Sequence, residues 1–212
     1  MPINFQQALQ KRIIPVVAIH DAENAHPLAD SLIEGGLPCA EITFRTEAAE
    51  AVIATLSKRG DIFVGAGTVL NIEQAKAAMD AGAGFIVSPG FSEKVVEFCL
   101  DHSLPVTPGV CTPTDIQKAL EFGLTLVKFF PAQAMGGLKT LKALSGPFTM
   151  MAFIPTGGIN SQNLGDYLSH PRVPAVGGSW MVKSSLIAEG RFEEITRLTR
   201  EAMTLVEIVG ST

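Results

Sequence analysis

Eight short runs rich in β-branched residues recur along this chain, each followed by a polar turn and a longer stretch with helical spacing. That alternation constrains the fold more than any single motif, because strand–helix–strand units with short connections make parallel strands and right-handed crossovers. Strands are predicted at 13–19, 39–44, 62–66, 84–88, 105–108, 124–130, 151–156 and 173–176. Helices are predicted at about 22–34, 47–59, 71–81, 92–102, 112–122, 136–144, 160–169 and 191–208. Asp21, Thr46, Asn71, Ser92, Thr112 and Asn160 stand where N-caps belong, and Gly35-Gly36, Gly82 and Gly123 where helices end. Eight units predict one α/β domain over residues 1–212, a compact (β/α)8 TIM barrel with a short N-terminal helix. Such barrels usually need about 250 residues. An open doubly wound sheet is the alternative, but the first strand ends AIHDAEN, without the GxGxxG turn such sheets carry.

Composition narrows the partners. Of 212 residues, 47 % are apolar and 17 % charged, with a net charge of −5. A chain of that balance buries a large core and is no general nucleic-acid binder, although a pocket for a small anion needs only a few donors. The longest apolar strand-like run, 13–19, is far short of the roughly 20 residues of a membrane span. The sequence MPINFQQALQKR lacks the charged-then-apolar order of a signal peptide. Cys39, Cys99 and Cys111 are odd in number and widely spaced, which fits reduced thiols and a cytoplasmic location. His20, His26, His102 and His170 show no metal-ligand spacing, so no metal site is expected.

In parallel α/β folds chemistry gathers at the carboxyl ends of the strands. Polar residues inside apolar strands are therefore informative. Only Lys128, among the lysines, interrupts an apolar strand, in Leu124-Thr-Leu-Val-Lys128-Phe-Phe. It reads either as a lysine snorkelling to water or as a desolvated amine. Burial disfavours ammonium, and a neutral amine among apolar walls is what attack on a carbonyl requires. On the second strand, alternation puts Cys39, Glu41, Thr43 and Arg45 on one face and Ala40, Ile42 and Phe44 on the other. Glu41 and Arg45 are either a structural ion pair or a proton-transfer carboxylate with an arginine fork for a substrate carboxylate. The third strand ends Gly65-Ala-Gly67-Thr68, where glycines let backbone approach a ligand or are plain turn residues, and Thr68 offers a hydroxyl. Gly157-Gly158 and Gly177-Gly178-Ser179 follow the last two strands, where loops and a helix N-terminus commonly cradle a phosphate. Paired tight turns are the plainer reading. Phe129 and Phe130 are core by default, though one could wall a lysine pocket. Cys111 has no evident base partner, and His20 stands near the mouth.

The segments Glu41-Ile-Thr-Phe-Arg45-Thr46, Gly65-Ala-Gly-Thr68-Val, Ser88-Pro89-Gly90, Val127-Lys128-Phe-Phe-Pro131-Ala, Pro155-Thr156-Gly-Gly158-Ile and Gly177-Gly-Ser179-Trp180 resemble the KDPG/KHG aldolase family. Each motif alone is weak, but six in the same order are specific. The resemblance implies a metal-independent class I aldolase that needs no cofactor, on a (β/α)8 barrel, assembled as a homotrimer. It makes Lys128 the Schiff-base lysine, Glu41 the general acid/base and Arg45 the ligand of the pyruvate carboxylate. It sets Thr68, Pro89 and Thr156 around the pyruvate moiety, with Phe130 beside the lysine. Gly157, Gly158, Gly177, Gly178 and Ser179 fall at the phosphate end. Two departures are visible: a short N-terminal helix, and His20 where an apolar residue is common.

The implied substrates are 2-keto-3-deoxy-6-phosphogluconate and 4-hydroxy-2-oxoglutarate. A metal-independent sugar-phosphate isomerase or epimerase would use the same carboxylate with no covalent imine. A metal-dependent aldolase would need clustered ligands that the sequence does not offer. A binding protein without chemistry would lack the lysine, which is present.

Overall fold

In the computed structural model, which describes residues 4–210, helix α1 (Phe5–Gln10) precedes β1 (Ile13–Val17). A 3-10 turn at Ala22–Asn24 leads into α2 (Ala25–Glu34). There follow β2 (Cys39–Thr43), α3 (Ala49–Ser57), β3 (Phe63–Gly67), α4 (Ile72–Asp80), β4 (Ile86–Val87) and α5 (Glu93–Asp101). Next come β5 (Val106–Thr107), β6 (Gly109–Val110), α6 (Pro113–Glu121), β7 (Leu126–Phe129), α7 (Gly137–Ser145) and β8 (Ala152–Pro155). The chain closes with α8 (Leu164–Leu168), β9 (Val176–Gly178), α9 (Ser184–Ala188) and α10 (Phe192–Gly210). The first three and last two residues of the expected 1–212 domain lie outside the described residues.

Every paired strand is parallel, as the alternation requires. The expected closed eight-stranded barrel is corrected. The described residues form a six-stranded half-barrel sheet, β5-β4-β3-β2-β1-β9, and a three-stranded sheet, β6-β7-β8. One break falls at Pro108, which ends the predicted 105–108 strand at Thr107 and separates it from β6, because proline has no N–H to give a ladder. The other lies between β8 and β9, joined only by an isolated bridge, Thr156 to Gly177.

Helix ends show which local signals acted. Asn71 accepts from the Gln74 N–H at 2.8 Å, and Thr112 and Asp115 form a capping box that starts α6. Such caps are worth about 1 kcal/mol. Thr46 does not cap α3; its hydroxyl donates to the Ile19 carbonyl at 2.6 Å and ties the β2 exit to β1. Asn160 does not start α8 either. The chain turns through Asn163 first, and the helix begins at Leu164.

Register fixes the interior face. Ile14 pairs with Gly177, Val16 with Glu41, Glu41 with Gly65, Val87 with Thr107, and Lys128 with both Gly109 and Ile154. Paired residues of a parallel ladder share a face, so this set faces inward together. Its lower part is apolar: Leu9, Ile14, Phe85, Val87, Ile154 and Ala175 pack as one cluster with Phe5 and Phe63. Phe5 and Phe63 both lie on the Phe85 ring, at 5.1 and 5.4 Å between centroids, so α1 plugs the amino end of the sheets. A side chain at Gly65 would run into the Phe85 ring. That glycine makes room for the plug rather than for a ligand. No helix of the described residues is long and apolar enough to cross a membrane.

Candidate active site

Above the apolar plug the interior turns polar. Glu41 on β2 is 3 % exposed and Lys128 on β7 is 5 % exposed. The Lys128 Nζ donates to Glu41 Oε1 at 3.4 Å and lies 5.3 Å from the centre of the Phe130 ring. The snorkelling alternative for Lys128 therefore fails: the amine ends inside, against a carboxylate and an aromatic wall. The alternative of a structural Glu41–Arg45 ion pair is not what forms. Arg45 lies in the turn after β2, exposed, and its Nε donates to Thr43 Oγ1 at 3.1 Å. Thr43 is buried and in turn donates to the Val17 carbonyl at 2.7 Å, so it anchors the base of the guanidinium. Alternation had placed Thr43 on that face, yet the holding role shows only in the structure.

Gly67 explains how the carboxylate reaches its position. A Cβ there would meet Glu41 Oε1 and fall 2.6 Å from Cγ and 2.7 Å from Cδ. The Glu41 side chain lies over Gly67, in space that exists only because the residue is glycine. Gly67→Ala is therefore expected to push the carboxylate off the lysine. Overpacking of this kind costs about 1–3 kcal/mol of stability. Steady-state assays should show kcat at least about tenfold lower, because positioned proton transfer contributes 10²–10⁴-fold. A Gly67→Ala protein with unchanged kcat would contradict the placement.

The remaining expected residues gather at the carboxyl ends of the strands. Thr68 leaves β3 with φ +56, a left-handed conformation that costs a β-branched residue on the order of 1–3 kcal/mol. The next N–H, from Val69, donates to the Val87 carbonyl at 3.1 Å and holds that turn. Pro89 follows β4, where the buried Ser88 hydroxyl donates to the Gly90 carbonyl at 2.8 Å. Phe130 follows β7. Thr156 is buried at the end of β8, and its N–H donates to the Phe129 carbonyl at 3.0 Å. Gly157 and Gly158 have φ +97 and +80, open to glycine and strained for other residues.

The bridge between Thr156 and Gly177 sets the two glycine turns side by side. A Cβ at Gly177 would meet the Thr156 hydroxyl, and one at Gly178 would meet the Trp180 ring. Ser179 is exposed just past β9. The helices that follow are short, Leu164–Leu168 and Ser184–Ala188, and neither begins at the glycines. The expected helix N-terminus at a phosphate cradle is thus replaced by backbone turns. Asn163 shapes the first turn, its Nδ2 donating to the Gly158 carbonyl at 3.0 Å.

The cysteines take no part. All three are free, and burial pushes the Cys39 and Cys99 thiols up to about 12. The Cys111 thiol is also raised, by burial and by Asp115. His20 is exposed, beyond the end of β1. Among the described residues no group of three or more His, Cys, Asp or Glu is placed to hold a metal ion.

Comparison with known proteins gives a consistent result. The family model for KDPG and KHG aldolase matches residues 6–198. The 2-dehydro-3-deoxy-phosphogluconate aldolase of Treponema pallidum is 49 % identical over 209 residues, covering 98 % of this chain and 100 % of its own. A crystal structure of KDPG aldolase from Legionella pneumophila, with pyruvate captured at low pH as a covalent carbinolamine intermediate, superposes with a TM-score of 0.88. It is 38 % identical, with 92 % of this chain and 95 % of that chain covered. The 2-keto-3-deoxy-6-phosphogluconate aldolase of Zymomonas mobilis ZM4, solved with 3-phosphoglycerate, has a TM-score of 0.88 and 35 % identity, covering 94 % of this chain and 95 % of its own.

Proposed function

The chain belongs to the KDPG and KHG aldolase family, and from that premise we propose that Lys128 and Glu41 are the reacting pair of a class I aldolase. The activity is cleavage of 2-keto-3-deoxy-6-phosphogluconate to pyruvate and glyceraldehyde 3-phosphate, and of 4-hydroxy-2-oxoglutarate to pyruvate and glyoxylate. The observation that carries the residue assignment is the buried contact between the Lys128 amine and the Glu41 carboxylate at 3.4 Å.

The lysine must shed a proton before it attacks, and a carboxylate to take it stands in reach. The amine adds to the C2 keto carbon, Glu41 returns the proton to the departing C2 hydroxyl, and loss of water leaves a protonated imine and a free carboxylate. The C3–C4 bond then breaks with its electron pair moving toward the iminium nitrogen, which gives an enamine instead of a free carbanion. Glu41, directly or through a water, takes the C4 hydroxyl proton as the aldehyde forms. The enamine is protonated at C3, and water returns to C2 to release pyruvate and the free amine. No metal or organic cofactor enters these steps, because the imine is its own electron sink.

Arg45, braced by Thr43, holds the substrate carboxylate at the rim, with Thr68, Pro89 and Thr156 around the three-carbon end and Phe130 as the wall. Fixing both ends of the keto acid orients the scissile bond. Gly157, Gly158, Gly177, Gly178 and Ser179 receive the phosphate. Residues 1–212 act as one domain, and family membership supports a homotrimer in the cytoplasm.

Ser179→Asp tests the phosphate end. A carboxylate there repels a phosphate dianion but hardly touches the shorter substrate. KM for the phosphorylated substrate should rise about tenfold or more, equivalent to about 1.4 kcal/mol. KM for 4-hydroxy-2-oxoglutarate should change less than threefold. Equal effects on both substrates would place Ser179 away from the phosphate.

A further inference from the structure

Tyr167 carries an unmatched hydroxyl beside the phosphate end. It lies on α8, is 1 % exposed, and its Oη has no hydrogen-bond partner. Burial pushes its pKa up, so the group stays a protonated donor. An unpaired buried hydroxyl costs stability that phenylalanine would not, and such a group in a folded protein calls for an explanation.

The facing group is Gln133, in the turn between β7 and α7. A Cβ built on Gly137 would fall 3.1 Å from Tyr167 Oη and 3.1 Å from Gln133 Oε1. The two oxygens therefore face each other across a residue with no side chain, no farther apart than those two distances combined. Gln133 is exposed, and among the described residues its amide makes no hydrogen bond, so a change of rotamer brings Oε1 to the hydroxyl.

The same glutamine covers the phosphate end. A Cβ on Gly158 would fall 2.7 Å from both Cβ and Cγ of Gln133, so the stem of Gln133 lies directly on that glycine. The backbones are tied as well. The Ala132 N–H donates to the Thr156 carbonyl at 2.8 Å, and the Gln133 N–H to the Gly157 carbonyl at 3.1 Å. From the α8 side, Asn163 Nδ2 donates to the Gly158 carbonyl at 3.0 Å, and the Tyr167 N–H donates to the Asn163 carbonyl at 3.4 Å. Gly157 and Gly158, at φ +97 and +80, have no side chains of their own to fix the turn, so its neighbours must hold it.

We propose that Tyr167 is a positioning residue for the phosphate end, its hydroxyl donating to the Gln133 amide oxygen across Gly137 and holding Gln133 down on the Gly157–Gly158 turn when a substrate phosphate is seated there. The clasp keeps the turn aimed at the phosphate. It adds nothing for a keto acid without one, so it discriminates between the two substrates.

The inference rests on reading Gly157, Gly158 and Ser179 as the phosphate end, and the test separates the two. Tyr167→Phe, Gln133→Leu and the double variant of the full chain are compared with the parent, alongside Ser179→Asp. Each single variant of the clasp should raise KM for 2-keto-3-deoxy-6-phosphogluconate about fivefold, within the reach of one hydrogen bond. KM for 4-hydroxy-2-oxoglutarate should stay within twofold, and the borohydride-trapped pyruvate adduct should persist. The double variant should be no worse than either single one, because both remove the same contact. Gln133 is exposed, so its variant carries the test should Tyr167→Phe fail to fold. Parental KM for the phosphorylated substrate in the clasp variants, with Ser179→Asp still selective, would overturn the clasp alone. Equal rises for both substrates, or additive effects in the double variant, would overturn it too. A Ser179→Asp enzyme that treats both substrates alike would overturn the phosphate reading and the clasp with it.

Discussion

Lys128→Met is expected to abolish aldol cleavage and to leave no pyruvate adduct after borohydride reduction. Methionine keeps the length and apolar stem of lysine but has no nucleophile, so the covalent route is lost outright. The substitution also strands Glu41, 3 % exposed, without its cation. Removing one partner of a buried ion pair costs about 3–5 kcal/mol. The melting temperature of Lys128→Met should therefore fall at neutral pH. Adding Glu41→Gln to Lys128→Met should return most of the neutral-pH loss. A Lys128→Met protein that still traps pyruvate would move the covalent centre to another lysine.

Glu41→Gln should separate imine formation from bond cleavage. Glutamine fills the same volume over Gly67 and keeps a hydrogen-bond acceptor for the Lys128 amine, but it takes no proton. Turnover should fall 10²–10⁴-fold, the span of positioned general acid–base catalysis. Trapping should persist, because the Lys128 nucleophile is unchanged and still has an acceptor beside it. Single-turnover kinetics on the phosphorylated substrate, with trapping in parallel, make the comparison. Equal losses in trapping and cleavage would mean that Glu41 serves the amine alone; full turnover would make it structural.

How much of this was legible in sequence differs from residue to residue. Lys128 and Glu41 stood out because a period of two gives each strand residue a face, and a charge on an apolar face is conspicuous. The parallel order was legible for the same reason. Closure was not. Whether eight strands complete a ring depends on hydrogen bonds between distant neighbours, and Pro108 removes an N–H at one seam. The β8–β9 seam keeps only the Thr156–Gly177 bridge, as the predicted 173–176 strand begins late, at Val176. Val173 is instead held in a turn, its N–H donating to the His170 carbonyl at 2.9 Å. The late start of α8 follows from turns that the asparagines hold: Asn160 Oδ1 accepts from the Gln162 N–H at 2.8 Å, Asn163 Oδ1 accepts from the Asn160 N–H at 2.9 Å, and Asn163 also reaches back to Gly158. Helix α9, five residues after a glycine-serine turn, carries too short a pattern to register.

The glycines that end the third strand read in sequence as room for a ligand or as plain turn residues; Gly65 yields to Phe85 and Gly67 to Glu41, contacts between strands that no local pattern reports. Alternation put Arg45 on the face of Glu41 and left open whether the two pair; Arg45 sits on Thr43 instead, because a strand's last residues leave the pleat.

The central claim is that Lys128 forms the covalent bond to substrate. Its most direct measurement is the intact mass of the unmodified protein after borohydride reduction with pyruvate, with and without chelator, followed by peptide mapping. One reduced pyruvate per chain, located on Lys128 and unaffected by chelator, is the expected result. A folded protein that gains no mass, or that carries the adduct on another lysine, would contradict the account.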